Sequence, residues 1–391
     1  MSKRVGIEVS LAVSEAIKLC NVDVVAAYPI TPQTHIVEHL SELVADGELD
    51  AEFIPVESEH SAMSVCCGSS ATGARTYTAT SSQGLALMSE IVYIASSMRL
   101  PIVMTIADRS LSGPISIWND HTDAMSIRDC GWIQIFCENG QEAFDAHIMA
   151  FKIAEDHRVY LPVMVHMDGF VLTHMIEPIE FLSQSEVDSF LPEFKPALTL
   201  NPDKPVTMGP VGIPEIYTEV KKAQEVALQN SKSVILEVWK EFGDKFGRYF
   251  NPVETYKIDD AEIALLTMGS FGEPAMLAVD ELRKEGEKAG LIKLRLWRPF
   301  PFEEFLKATE RLKGLAVIDR AITYGTSGGP VAIEIRSALY EKSDKIIIND
   351  FIAGLAGRDV KINQFKQMYY ETKDAVKKGK ANEYKFIGVR E

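Results

Sequence analysis

The residues best suited to chemistry lie where short apolar runs give way to small and polar residues. Tyr28-Pro29-Ile30-Thr31-Pro32-Gln33-Thr34 is the first such stretch. Thr31 before Pro32 reads as an N-cap followed by a proline at the first helical position. It is a helix start alone, or an anion site built from the Thr31 hydroxyl and the free N–H groups of the first turn. Glu57-Ser58-Glu59-His60-Ser61-Ala62 puts two acids at a helix start, where the macrodipole favours them. The residues from Ala62 to Ala74 are small and mostly apolar. A carboxylate packed there is partly desolvated, which raises its pKa unless it is paired. His60 reads as a proton relay or as a capping or solvated side chain. Thr80-Ser81-Ser82-Gln83-Gly84 can hydrogen-bond an anion or form an ordinary turn.

A long loop runs from Ala107 to Asp123, and loops of such length in compact domains are usually functional or disordered. Ile117 and Trp118 argue against disorder. Arg109 directly follows an apolar run, where its fork can hold a carboxylate by two parallel bonds. A salt bridge to Asp108 or Asp120 is the competing reading. Asp120, His121 and Asp123 match no dependable metal-ligand spacing. Gly325-Thr326-Ser327-Gly328-Gly329 before a helix permits close approach of a phosphate or a partner. There is no GxxxxGK[ST], G-x-S-x-G or H-E-x-x-H motif.

The elements that must position these residues form two alternating units. Strands are expected at Asp23–Tyr28, Glu52–Val56, Arg75–Thr80, Ile102–Ala107, Ile133–Cys137 and Leu161–His166, with helices such as Leu85–Arg99 and Gln141–His157 between them. Such alternation predicts a parallel sheet covered on both faces, with ligands at the carboxyl ends of its strands. From 167 to 259 the rhythm breaks into a proline-rich connector with one clear helix, Ile216–Gln229. The alternation resumes with strands at Glu262–Thr267, Leu291–Leu296, Leu315–Asp319 and Lys345–Asn349. Helices near Glu273–Glu287, Phe302–Lys313 and Gly329–Tyr340 complete a second, smaller α/β unit. The stretch Lys377-Lys378-Gly379-Lys380 is charged and expected to be exposed.

Composition narrows the function classes. The 391 residues include 40 Lys and Arg against 56 Asp and Glu, a net charge of −16. This charge repels phosphate backbones and anionic headgroups, so neither nucleic acid nor a membrane surface is an expected partner. No apolar run of ~18 residues is present to span a bilayer. The start, Met1-Ser2-Lys3-Arg4-Val5-Gly6, leads into an amphipathic segment rather than a signal-peptide core, which points to the cytoplasm. Cys20, Cys66, Cys67, Cys130 and Cys137 form no CxxC pair. No iron–sulfur cluster or structural zinc is expected in this chain, and its cysteines read as buried free thiols.

Taken in order, several stretches carry a resemblance. They are Tyr28-Pro29-Ile30-Thr31-Pro32, Glu57-Ser58-Glu59-His60-Ser61-Ala62, Thr80-Ser81-Ser82-Gln83-Gly84, Ile117-Trp118-Asn119-Asp120-His121-Thr122-Asp123, Gly131-Trp132-Ile133-Gln134 and Gly354-Leu355-Ala356-Gly357-Arg358-Asp359. The chain resembles alpha subunits of the pyruvate:ferredoxin oxidoreductases, within the thiamine-diphosphate-dependent 2-oxoacid:ferredoxin oxidoreductase family. The resemblance implies a doubly wound, pyrimidine-type thiamine-diphosphate-binding domain over 1–230, with an irregular extension from 167. It further implies a linker over 231–259 and a transketolase C-terminal-like domain over 260–391. The implied reaction converts pyruvate, coenzyme A and oxidised ferredoxin to acetyl-CoA, CO₂ and reduced ferredoxin, reversibly.

By the same resemblance, Glu59 is the acid at the pyrimidine N1′, where it favours the tautomer whose 4′-nitrogen takes the thiazolium C2 proton. Pro29 and Ile30 line the cofactor, and Thr31 and Arg109 hold the substrate carboxylate. The family binds the diphosphate through Mg²⁺ with a Gly-Asp-Gly motif followed by Asn. Here Asp168-Gly169 follows Met167, and no matching Asn lies downstream. Mg²⁺ ligands and [4Fe-4S] clusters are therefore expected on partner chains, the beta, gamma and delta-type subunits. Two alternatives stay open: a sibling acting on 2-oxoisovalerate, 2-oxoglutarate or oxalate, and a non-catalytic scaffold. Glu59 argues against the scaffold.

Overall fold

The computed structural model describes residues 3–340 and 345–390. Met1, Ser2 and Glu391, which belong to the expected first and last domains, lie outside the described residues. The first half comprises β1 (Lys3–Glu8), α1 (Val9–Leu19), β2 (Val24–Ala27), α2 (Thr34–Ala45), β3 (Glu52–Pro55), α3 (Glu59–Thr72), β4 (Thr76–Thr80) and α4 (Ser82–Ser97). It continues through β5 (Val103–Asp108), α5 (Thr122–Ser126), β6 (Ile133–Phe136), α6 (Gly140–Glu155), β7 (Val163–Asp168), β8 (Ile176–Phe181), α7 (Gln184–Phe190) and α8 (Pro214–Phe246). The second half holds β9 (Val253–Tyr256), β10 (Ile263–Thr267), α9 (Gly272–Lys284), β11 (Ala289–Leu294), β12 (Leu296–Arg298), α10 (Phe302–Ala308), β13 (Gly314–Asp319), α11 (Pro330–Leu339), β14 (Ile347–Ile352), α12 (Ile362–Lys378) and β15 (Lys385–Phe386).

Seven strands form the first sheet in the order β12-β6-β7-β5-β4-β2-β3. All its pairs are parallel except β12–β6. Its central strands β4, β5 and β7 are buried along their whole length, as parallel strands covered on both faces must be. One face carries α1, α2, α6 and α8, whose Val13, Leu40, Phe144 and Trp239 share a single core. The other carries α3 and α4 through Met63, Leu85, Met88 and Val92. The second sheet has six strands in the order β15-β14-β13-β10-β11-β9, with β9 antiparallel to β11. It is likewise covered on both faces. A separate two-stranded antiparallel sheet pairs β1 with β8.

Two expectations are corrected here. The helix expected to end at Gln229 continues to Phe246, so the first half of the 231–259 stretch is helical. Pro214 opens α8, and Gly247, at φ 76, ends it. Asn230, Ser231 and Ser233 weaken the local helix signal. Packing outweighs them, because Val234, Ile235, Val238, Trp239 and Phe242 enter the first core. The strand expected at Leu291–Leu296 is split. β11 stays in the second sheet, while β12 turns back and pairs with β6, Leu296 opposite Ile135. Arg295 marks the break, and its guanidinium joins Glu142 and Glu254.

Candidate active site

The predicted residues leave the carboxyl ends of neighbouring strands: Pro29, Ile30 and Thr31 follow β2, Glu59 follows β3 and Arg109 follows β5. Thr31 is exposed and lies outside the helix. The Gln33 N–H donates to the Ile30 carbonyl at 2.9 Å, and α2 begins only at Thr34 with Gln33 as its cap. The N-cap role expected for Thr31 is therefore wrong: residues 31–33 form a turn ahead of the helix, and Gln33 takes the cap position. Its tie to Arg109 is nevertheless direct, because Arg109 Nη1 donates to the Thr31 carbonyl at 2.8 Å. Pro29 is exposed and Ile30 half-buried in the same turn.

Arg109 follows β5 and is only 6% exposed. Its Nε donates to the Ser116 carbonyl at 2.8 Å. Among the described residues no carboxylate forms a salt bridge with it. The competing pairing with Asp108 or Asp120 fails because both acids are engaged elsewhere. Asp108 accepts from His166 at 2.9 Å, and Asp120 binds Ser110, Thr122 and the Ala356 N–H. A buried guanidinium held by two carbonyls keeps donors for a carboxylate ligand.

Glu59 is the first residue of α3, behind the N-cap Ser58. It is 6% exposed. Among the described residues its carboxylate has no hydrogen-bond or ion-pair partner. The Gly84 backbone lies against it: a Cβ at Gly84 would stand 2.6 Å from Glu59 Oε1 and 2.5 Å from Thr80 Oγ1. Glycine is thus required where α4 starts. Glu57, by contrast, is a surface acid, and its hydrogen bond from Ser61 lowers its pKa. His60 faces Glu90 at 3.6 Å with 40% of its side chain exposed, which fits the solvated reading. The hydroxyls of Ser81 and Ser82 are spent on the Ala107 and Ser110 carbonyls.

Asp120, His121 and Asp123 diverge. Asp120 fastens the loop to the second domain, where Ala356 and Gly357 donate their N–H groups to Asp120 Oδ2 and the Asn119 carbonyl. Asp123 accepts three backbone N–H groups. His121 Nε2 meets Asp168 Oδ1 at 2.9 Å. Sequence reasoning missed the buried cluster around this pair. Asp108 and Asp168 end the neighbouring strands β5 and β7 directly opposite each other. Asp168 also takes the Ser270 N–H at 2.8 Å and Arg320 Nη1 at 2.5 Å, both from the second domain. Burial alone would raise the Asp168 pKa, but Arg320, His121 and Ser270 together hold it well below the usual carboxylate range. Asp108, His121 and Asp168 could be grouped as metal ligands. The Arg320 guanidinium already supplies the cation there.

The glycine-rich loop before α11 is not a free phosphate cradle. Asp319 takes the Val331 and Ala332 N–H groups, and Asp350 takes that of Gly329. A Cβ at Gly329 would stand 2.2 Å from Asp319 Cγ, so these glycines make room for carboxylates.

Residues 15–240 match the family described as pyruvate flavodoxin/ferredoxin oxidoreductase, thiamine-diphosphate-binding, and residues 261–365 match pyruvate:ferredoxin oxidoreductase core domain II. The chain belongs to this family. It is 48% identical over 383 residues to the pyruvate synthase subunit PorA of Methanocaldococcus jannaschii, covering 97% of this chain and 96% of that one. It is 46% identical over 361 residues to the ketoisovalerate oxidoreductase subunit VorA of Pyrococcus horikoshii, covering 92% and 91%. A solved 2-oxoglutarate:ferredoxin oxidoreductase from Magnetococcus marinus shares the fold at a TM-score of 0.71 and 18% identity. The match covers 96% of this chain and 66% of that longer one.

In this family's terms, the residues present fit one end of thiamine diphosphate. Glu59 offers a nearly buried carboxylate free to accept a bond from a pyrimidine N1′. At the diphosphate end, the two candidate donor sets that the sequence offered are occupied within the chain. Asp168, which follows Met167 where the family motif has a glycine, is committed to His121, Ser270 and Arg320, and the N–H groups at the start of α11 are committed to Asp319 and Asp350. Among the described residues no helix is long and apolar enough to cross a membrane.

Proposed function

We propose that this chain is the subunit of a pyruvate:ferredoxin oxidoreductase complex that supplies the pyrimidine-holding and carboxylate-holding half of the active site. Glu59 carries this reading. A carboxylate so nearly buried and without a partner costs stability, a cost that makes sense where a donor from outside the chain completes the pair. Thiamine diphosphate, when bound, supplies the electron sink that accepts the pair left as CO₂ departs. Glu59 holds the proton at the pyrimidine N1′. Gly84 keeps the approach to that carboxylate free of a side chain. Arg109, steadied by the Thr31 and Ser116 carbonyls, clamps the 2-oxoacid carboxylate, and the Thr31 side chain borders the same turn. Mg²⁺ and the [4Fe-4S] clusters belong to partner subunits of the beta, gamma and delta types. The five cysteines of this chain are separate free thiols, four of them buried, and thus poorly suited to a cluster.

A scaffold role fits poorly with a nearly buried carboxylate that has no partner and a nearly buried guanidinium that meets no carboxylate among the described residues. A 2-oxoisovalerate substrate is the second reading, supported by the 46% identity to a VorA subunit. A dianionic substrate is disfavoured, because Arg109 is the cation that these loops bring to the site. The test is a substrate panel on the purified complex with a viologen acceptor and coenzyme A. The expected order in kcat/KM is pyruvate above 2-oxoisovalerate, with 2-oxoglutarate lowest. A preference for 2-oxoisovalerate would move the assignment to the sibling activity. Failure to use any 2-oxoacid would leave the scaffold.

A further inference from the structure

Asp123 occupies the second position of α5 and has no exposed surface. Its carboxylate binds main chain only. Oδ2 accepts the Ser82 N–H at 2.8 Å and the Arg109 N–H at 3.0 Å, while Oδ1 accepts the Ala124 N–H at 2.8 Å. Two of these donors belong to different strand-end loops. Ser82 opens α4 in the left-handed region at φ 46, a conformation that a serine keeps only when its surroundings impose it. Arg109 is the first residue beyond β5. Further bonds stitch the same two loops, from Ser81 Oγ to the Ala107 carbonyl at 2.7 Å and from Ser82 Oγ to the Ser110 carbonyl at 2.5 Å. Gly84, the residue packed on Glu59, follows two positions after Ser82.

Among the described residues Asp123 forms no salt bridge. Burial and the neighbouring Asp108 push its carboxyl well above the usual range, and the three N–H groups pull against them. A buried acid whose bonds all go to backbone is an expensive way to fix a chain path. Here the path fixed is the one from which the Arg109 side chain departs.

We propose that Asp123 is a positioning residue that, by holding the Arg109 and Ser82 main chains on one oxygen, aims the Arg109 guanidinium at the substrate carboxylate. The proposal rests on the reading that Arg109 clamps the 2-oxoacid. An asparagine at position 123 can turn its single carbonyl oxygen toward Ala124 or toward the Ser82 and Arg109 pair, but not toward both. Its NH₂ then faces an N–H donor.

The test uses the assembled complex and compares Asp123→Asn, Arg109→Ala, the double variant, and Asp145→Asn, which removes a buried acid paired with Arg248 elsewhere in the domain. Asp123→Asn is expected to lower kcat/KM for pyruvate by about tenfold to a hundredfold, the cost of a misplaced binding group. The change should lie mainly in the pyruvate KM, with the coenzyme A KM unchanged. In the Arg109→Ala background the same substitution should add almost nothing, since both act through one guanidinium. Asp145→Asn should lower the unfolding temperature and leave the pyruvate KM in place.

If Arg109→Ala leaves the pyruvate KM unchanged, the clamp reading itself falls. If Arg109→Ala raises it but Asp123→Asn behaves like Asp145→Asn, or the two effects multiply in the double variant, the positioning role is overturned. Should Asp123→Asn fail to assemble, Asp123→Ser carries the same comparison. Failure of both would assign Asp123 to folding alone and overturn the proposal.

Discussion

Replacing Glu59 by glutamine changes one atom and leaves the shape of the side chain. The glutamine still fits against Gly84, whose missing side chain leaves room only for the existing contact, 2.6 Å from the carboxylate oxygen to an added Cβ. Because the Glu59 carboxylate has no internal partner, neutralising it strands no donor in the chain, and folding should be undisturbed or slightly improved. What disappears is the acid available to the pyrimidine N1′. General acid–base contributions of roughly 10²–10⁴-fold set the expected loss of turnover. The assay is pyruvate-dependent viologen reduction by the assembled complex at saturating thiamine diphosphate and coenzyme A, beside an unfolding curve. Gly84→Ala supplies a second perturbation of the same carboxylate. Its methyl would meet both Glu59 Oε1 and Thr80 Oγ1 inside contact distance, so overpacking should cost about 1–3 kcal/mol and swing the carboxylate away. Glu57→Gln, at a surface acid bonded to Ser61, is the control and should retain activity. Turnover of Glu59→Gln within a few fold of wild type would remove Glu59 from the cofactor and refute the reasoning from its missing partner.

Thr31 joins Arg109 through its carbonyl, so Thr31→Val should keep that bond and lose at most one neutral hydrogen bond to substrate, about 0.5–1.5 kcal/mol in kcat/KM for pyruvate. Arg320→Ala should destabilise the join between the domains by roughly 3–5 kcal/mol, because Asp168 stays buried without its guanidinium. A shift in the urea midpoint of the purified chain reads this out. His147 is wholly buried between Thr105 and the Ala143 carbonyl, and burial pulls its pKa down to about 4. The unfolded imidazole, at its ordinary ~6.5, takes up a proton that the folded one refuses. Its stabilising contribution is therefore complete above pH 6.5 and fades as the pH falls toward 4. Between pH 7.5 and 5 stability should drop by about 2 kcal/mol from this group, a drop that His147→Gln should abolish in paired denaturation curves.

Strands β2 to β7, β10, β11, β13 and β14 were legible because their period and composition are local properties, whereas the short edge strands β9, β12 and β15 were not. Arg109 stood out as a candidate because strand ends in parallel sheets are where ligands meet the fold, and Glu59 stood out through the family resemblance. What escaped depends on register. Asp108 and Asp168 are far apart in sequence, and only the pairing of β5 with β7 sets them side by side. Arg320 and Ser270 arrive from a different domain altogether. Within one loop, Asp120, His121 and Asp123 match no metal-ligand spacing, and their backbone directions send them to three separate tasks. The glycines at 328 and 329 carried the composition of a phosphate loop, but Asp319 and Asp350 occupy that place with carboxylates from their own sheet. An anion-binding helix start and a helix start capped by an internal acid are identical in local sequence. They are told apart by whether a neighbouring strand ends in an aspartate at the right height. The same logic separates Glu59 from the other buried acids: Asp108, Asp145, Asp168 and Asp319 each have a hydrogen-bond partner within the chain, whereas the carboxylate of Glu59 has none among the described residues. That difference, rather than burial or position on a helix, is what supports the proposed role of Glu59 at the cofactor.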